Sequence, residues 1–213
     1  MAKITRGIFG PLTGKIGNLI AQNWKEINYL RPAPVKSKKP RTADRLANES
    51  KFGFFNNWTK PFYPYFQVGF RHMASEKTEL NIGFSENYRR ALSGTAPDFV
   101  IDYQQVILSL GKLPGVNNVV MSRTADNELV LKWDANNYHI KSSHNDQLFL
   151  AVYAPALQEI DGFLAGVKRT AEKCTFQMLD KFRNEPLEIF IGLTSFNGKR
   201  VSNSKYLGRI EPV

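Results

Sequence analysis

The first residues with the types and spacing of a chemical motif are the glycines and lysine of "GPLTGKIGNLIAQNW", Gly10 to Trp24. Gly-rich loops that end in Gly-Lys cradle phosphates with backbone N–H groups, while a hydroxyl after the lysine holds magnesium. Such a loop needs four residues between its first glycine and the Gly-Lys pair. Here three residues separate Gly10 from Gly14, and Ile16 stands after Lys15 where the hydroxyl belongs. Strand-like alternation follows, where a helix N-terminus is required to receive the phosphate. Nucleotide binding therefore fails on spacing, on the metal-holding hydroxyl and on context. The glycines are read as backbone devices that permit unusual dihedrals or close approach.

The other reactive side chains point to no reaction. The three histidines are His72, His139 and His144; the last two are five apart, with no cysteine near them to complete a tetrahedral metal set. The single cysteine, Cys174 in "EKCTFQML", falls on a strand whose alternation buries it with Phe176 and Met178. No base is marked to activate it as a nucleophile. The carboxylates are scattered, with no pair set for acid–base work. The expectation is a protein that is not an enzyme and uses neither cofactor nor metal.

Charge is the most uneven property of the chain. Residues 1–45 carry ten Lys and Arg against Glu26 and Asp44, whereas the whole protein has a formal net charge of +10. Nearly all of the excess thus belongs to one segment, which favours an acidic or phosphate-bearing partner there. Lys36, Lys38, Lys39, Arg41 and Arg45 are the candidate contacts to nucleic acid or to a protein partner. No run of about 18 apolar residues exists, so no membrane span is expected. The N-terminus lacks the continuous apolar stretch of a secretory signal, and a lone thiol suits a reducing compartment. The expected location is the cytoplasm or a virion assembled there.

These residues must be positioned by three regions. Residues 1–41 pair two alternating runs around Lys25–Glu26 into a β-hairpin, followed by "RPAPVKSKKPR", a basic Pro-rich arm. Ile20, Trp24, Ile27 and Tyr29 are the hairpin's candidate subunit contacts. Residues 42–96 form an aromatic-rich helical section. One helix there presents Ala43, Ala47, Phe54 and Trp58 on one face and stops at Pro61; a second starts at Pro61 or Pro64; a third runs from Ser85 to Leu92, closed by Gly94. Nine aromatics from Phe52 to Phe70 are read as core or a buried subunit contact, in preference to an RNA-stacking platform. Residues 97–213 read as strands: 99–110, 118–123, 128–133, 147–154, 162–167, 174–179, 187–194 and 205–210, separated by turn signals such as "TADNE" and "FNGK". The fold class is α+β: an N-terminal hairpin arm and short helices, then an antiparallel immunoglobulin-like β-sandwich.

Two resemblances add to this. "ELVLKWD", "LFLAVYAP" and "PLEIFIGLTSFNGKRVSNSKYLG" resemble the B strand, the C strand and the F–G hairpin of a fibronectin type III domain, beginning near residue 113. Trp133 stands as its core tryptophan and Tyr153 as its strand C tyrosine, while Phe190 replaces the usual tyrosine. The stretch from Pro155 to Thr170 is longer and less regular than in that family. The resemblance implies a binding or spacing module, and the fold itself licenses no activity. Nearly the whole chain, through "GIFGPLTGKIGNLIAQNWKEINYLR" and "SGTAPDFVIDYQQVILSLGKL", also resembles an uncharacterised bacterial family, a domain of unknown function found mainly in Bacteroidota. That resemblance implies no particular function.

The function expected from these readings is structural. The N-terminal arm docks on neighbouring copies or on other assembly subunits, as in a phage-type virion or tail component. One rival is a nucleic-acid-binding accessory protein using the basic arm. Another is a hydrolase or carbohydrate-active protein with a loop-borne site.

Overall fold

Short apolar runs punctuated by Gly-Asn and Lys-Glu set the first architecture along the chain. In a computed structural model, which describes residues 2, 3, 12–25, 27–35, 40–136 and 142–212, the protein divides into two compact units, Met1–Thr42 and Ala43–Val213. The first unit contains β1 (Ala2–Lys3), β2 (Gly14–Ile16), β3 (Leu19–Trp24) and β4 (Ile27–Pro32). They form one antiparallel sheet in the order β1-β4-β3-β2. The predicted hairpin is its inner pair. Gly17, at φ +57°, opens the two-residue turn between β2 and β3, where the first position must be left-handed to match strand twist. Lys25 takes φ +44° in the next turn. Pro32 ends β4, as a residue without a ladder donor does.

The second unit starts with α1 (Ala43–Thr59), a 3-10 turn at Lys60–Phe62, and α2 (Tyr63–Gly69). Pro61 and Pro64 sit in the first turns of the elements after α1, where their missing N–H costs nothing. The buried stripe of α1 is Phe55, Trp58 and Thr59, and Phe54, predicted on that stripe, is 38 % exposed. Phe55 takes its place because its ring packs on Phe84 and Tyr88 of α3 (Glu79–Arg90). α3 also starts six residues before its predicted bound, because the Thr78 hydroxyl accepts the Asn81 N–H at 3.2 Å and caps it there. Gly83 lets α2 approach closely: a Cβ there would meet the Phe66 ring at 2.6 Å.

The predicted strand over 99–110 is mostly not a strand. β5 (Leu92–Thr95) pairs with β6 (Asp98–Ile101) in a two-stranded ribbon, and the Asp102 carboxylate then accepts the Gln104 N–H and starts a turn. Residues 107–109 are held by side chains instead of a partner strand. The buried Asn87 amide exchanges two hydrogen bonds with the Ile107 backbone, at 2.7 and 2.8 Å, and the Ser204 hydroxyl accepts the Leu108 N–H at 2.8 Å. An apolar run that reads as strand is thus satisfied by polar groups distant in sequence.

The remaining strands are β7 (Asn117–Arg123), β8 (Glu128–Asp134), β9 (Gln147–Ala154), β10 (Glu159–Lys168), β11 (Lys173–Gln177), β12 (Leu187–Thr194) and β13 (Lys205–Ile210). They form two antiparallel sheets, β11-β8-β7 and β10-β9-β12-β13. The fold is mixed α+β, dominated by antiparallel strands with one long helix.

The larger sheet separates two cores. Leu148, Leu150, Val152, Ile189, Ile191 and Leu193 pack with Leu129, Leu131 and Trp133 of the smaller sheet. The alternate residues Phe149, Ala151, Tyr153 and Phe190 pack with the helical aromatics Phe55, Trp58, Phe62, Tyr65, Phe66 and Phe70. Burial on both faces is why β9 and β12 read as continuous apolar runs. No helix among the described residues is long and apolar enough to cross a membrane.

Candidate functional site

The N-terminal sheet is the first candidate, because its chemistry is not spent on a core. Strand register decides which side chains share a face, since directly opposed residues point the same way. Ile20 opposes Arg31, Gln22 opposes Tyr29 and Trp24 opposes Ile27 across β3–β4, and Lys15 opposes Ile20 across β2–β3. The four predicted contact residues Ile20, Trp24, Ile27 and Tyr29 therefore lie on one face, with Lys15, Gln22 and Arg31 among them. The Gln22 side-chain oxygen accepts from the Tyr29 hydroxyl at 3.0 Å and from Arg31 Nε at 3.1 Å, which ties the middle of that face together.

Among the described residues of this unit only Ala21 is buried. On the contact face Trp24 is 47 % exposed and Ile20, Ile27 and Tyr29 are half-buried, while Ile16 and Leu19, 53 % and 45 % exposed, lie on the opposite face with Ala21. Of the basic candidates, Lys36, Lys38 and Lys39 lie outside the described residues, as do Gly10 and His139. Arg41 is exposed. Arg45, also exposed, sits in the first turn of α1 and pairs with Glu49 at 2.9 Å.

The lone thiol is spent on packing. Cys174 on β11 is buried in the core between the β11-β8-β7 and β10-β9-β12-β13 sheets, and burial raises its pKa, which suppresses the reactive thiolate. His72 and His144 are exposed. Among the described residues, no three His, Cys, Asp or Glu side chains gather as a metal ion requires.

A second candidate is a cleft of 380 Å³ in the Ala43–Val213 unit. Phe54, Asn57 and Trp58 of α1 form one wall, Phe99, Val100 and Ile101 of β6 another, and Tyr103, Tyr153, Pro155 and Gln158 close it. The Trp58 indole N–H is buried and makes no hydrogen bond of normal geometry among the described residues. It lies near enough to the Tyr103 hydroxyl to ease that phenol's pKa slightly downward. Burial and then the charge of Glu188 act the other way, and the Tyr103 pKa is pushed up to about 12. Glu188 is itself buried, and its carboxylate accepts a hydrogen bond from the Tyr206 hydroxyl. Tyr153 is raised by burial and then by Tyr103; Tyr206 by burial and then by Glu188. Tyr65, whose hydroxyl donates to the Leu150 carbonyl at 2.8 Å, is raised by burial and then by Asp161.

These four phenols dictate an alkaline response. An unfolded tyrosine ionises near its ordinary value of 10.0, whereas the folded ones hold their protons to higher pH. Above that value the unfolded chain has shed protons that the native state retains, so stability falls as pH rises. The urea midpoint is expected to hold steady to about pH 9.5 and to drop steeply from about 10 upward. Tyr103→Phe should make that drop shallower; a midpoint unchanged through about pH 11.5 would contradict it.

Reading by spacing misses the cleft. Its aromatics are visible only as core residues, and its walls come from three segments that no short pattern joins.

A comparison with curated proteins finds no match. A family model described as a family of unknown function (DUF6266) matches residues 11–208. That match takes in β2 through most of β13, and with it three of the four N-terminal strands and nearly all of the unit that carries the cleft: the chain belongs to this family.

Proposed function

We propose that the protein is a non-enzymatic assembly component whose N-terminal sheet docks on neighbouring subunits, as in a phage-type virion or tail. The observation that carries this is a four-stranded sheet with a single buried residue among those described. Small sheets need an apolar face packed against something to be stable in water. Here Ile20, Trp24, Ile27 and Tyr29 share a face that also carries Lys15 and Arg31. Apolar side chains interspersed with basic ones around the hydrogen-bonded Gln22, Tyr29 and Arg31 suit a partner surface that is part apolar and part acidic.

The body is read as an immunoglobulin-like sandwich of the fibronectin type III kind from about residue 113, and so as a spacing or binding module. The three-stranded order β11-β8-β7 facing the four-stranded β10-β9-β12-β13 across a shared core supports that reading.

Light scattering and electron micrographs of the purified chain test the assembly role. The full chain is expected to associate at about micromolar concentration. Removal of residues 1–42, or Trp24→Ser with Ile27→Ser, should leave a folded monomer. A full chain that stays monomeric alone and binds no partner subunit, or deletion that leaves every association unchanged, refutes the proposal. The basic charge of residues 1–45 supports nucleic acid as a second reading. In that case affinity for DNA or RNA falls steeply with salt. No binding even at low salt ends it.

A further inference from the structure

We propose that the cleft between α1 and β6 is a binding site for a neutral pyranose sugar unit. Among the described residues its lining contains aromatic rings, two carboxamides and two tyrosines, but no carboxylate, ammonium, guanidinium or imidazole. An ion would find no counter-charge in the lining itself, and a purely apolar ligand would leave the polar groups unpaired. A sugar ring satisfies both conditions. Its C–H faces lie on aromatic rings, and its hydroxyls meet the donors and acceptors around them.

The geometry supplies each part. Phe54 is exposed at the rim and its ring is 5.5 Å from that of Phe99, which gives a paired aromatic wall. Gln158 brings one side-chain amide to the lining and Asn57 a second, whose oxygen already accepts from Lys60 Nζ at 2.9 Å. Tyr103 stays protonated across physiological pH and keeps a donor for a ligand oxygen, while the buried Trp58 N–H lies beside its hydroxyl. The volume of 380 Å³ falls within the ~300–1,000 Å³ of small-molecule pockets. No carboxylate, histidine, lysine or arginine among the described residues lines the cleft, so it binds without cleaving.

Fluorescence titration of the full-length Trp24→Phe chain tests this, with methyl β-glucoside, methyl β-galactoside, N-acetylglucosamine and cellobiose as probes. Trp24→Phe removes the exposed indole and leaves Trp58 as reporter, since Trp133 lies in the other core. At least one probe is expected to give a saturable change with Kd of roughly 0.1–10 mM. Tyr103→Phe should weaken it about tenfold, one hydrogen bond's worth, and Phe54→Ala should weaken it as well, with the urea midpoint of each variant near that of its parent. No saturable change with any probe at about 50 mM overturns the proposal. So does unaltered affinity in both variants, or saturable binding of phenol or indole where no sugar binds.

Discussion

Replacing Arg169 by methionine is expected to lower the unfolding free energy by about 3–5 kcal/mol, measured by urea denaturation. Arg169 follows β10 and its side chain is fully buried. Its guanidinium donates to the carbonyls of Pro114, Ala135 and Gly115 at 2.5, 2.9 and 3.3 Å, and to the Asp146 carboxylate at 3.2 Å. Its own carbonyl accepts the Trp133 indole N–H at 2.8 Å. One side chain thus joins the chain before β7, the end of β8, the start of β9 and the end of β10. Methionine fills much of the volume but strands a buried carboxylate and three carbonyls, and that desolvation is where the cost arises. Lysine keeps the charge yet lacks the planar fork, so Arg169→Lys should lose most of the same stability. Adding Asp146→Leu to Arg169→Met removes the stranded charge and should recover part of the loss. A cycle in which the two substitutions simply add would show that the pair is not coupled.

Phe62→Ala is expected to cost about 3–5 kcal/mol by the same measurement. Phe62 is fully buried between the helices and the larger sheet. Its ring lies 4.9 Å from that of Trp58 and 4.8 Å from that of Tyr153, with Phe66 and Phe190 at 6.3 Å. Truncation removes one ring from four aromatic contacts and leaves a cavity that the surrounding rings, fixed by backbone on both sides, can only partly fill. Phe52→Ala is the control: that ring is 55 % exposed, touches Phe84, and should cost less than about 1 kcal/mol. Equal losses in the two variants would mean that Phe62 is not the joint between the layers.

Most strands of the β11-β8-β7 and β10-β9-β12-β13 sheets were legible because apolar runs or alternation there end at turn residues. "LFLAVYA" and "LEIFIGLT" coincide with β9 and β12. What escaped did so for physical reasons. β1 and β2 have two and three residues, too few for any period to show. The face of α1 moved by one position, because Phe54 and Phe55 are equally apolar and only the place of α3 decides between them. Residues 107–109 were misread because their hydrogen-bond partners, Asn87 and Ser204, are polar side chains about 20 and 96 positions away.

The candidate sites divide the same way. Ile20, Trp24, Ile27 and Tyr29 were visible as alternation, but their shared face depends on a pairing register that only the turn fixes. Arg169 sits in "GVKRTAEK", where one more cation reads as a solvated surface residue. Nothing local marks it as buried. Its carbonyl partners are backbone groups, which no sequence displays.

Because the larger sheet carries an apolar load on each of its sides, the order of biosynthesis has a cost. The aromatic helices leave the ribosome well before β9 and β12, the floor on which they come to rest. About 124 residues separate Phe70 from Thr194, the end of β12, an interval of roughly 6–25 s at ordinary elongation rates of about 5–20 residues per second. Throughout it Phe55, Phe62 and Phe66 have no sheet to cover them. The nascent chain is then most open to chaperone capture, and slower translation of the last third would lengthen that exposure.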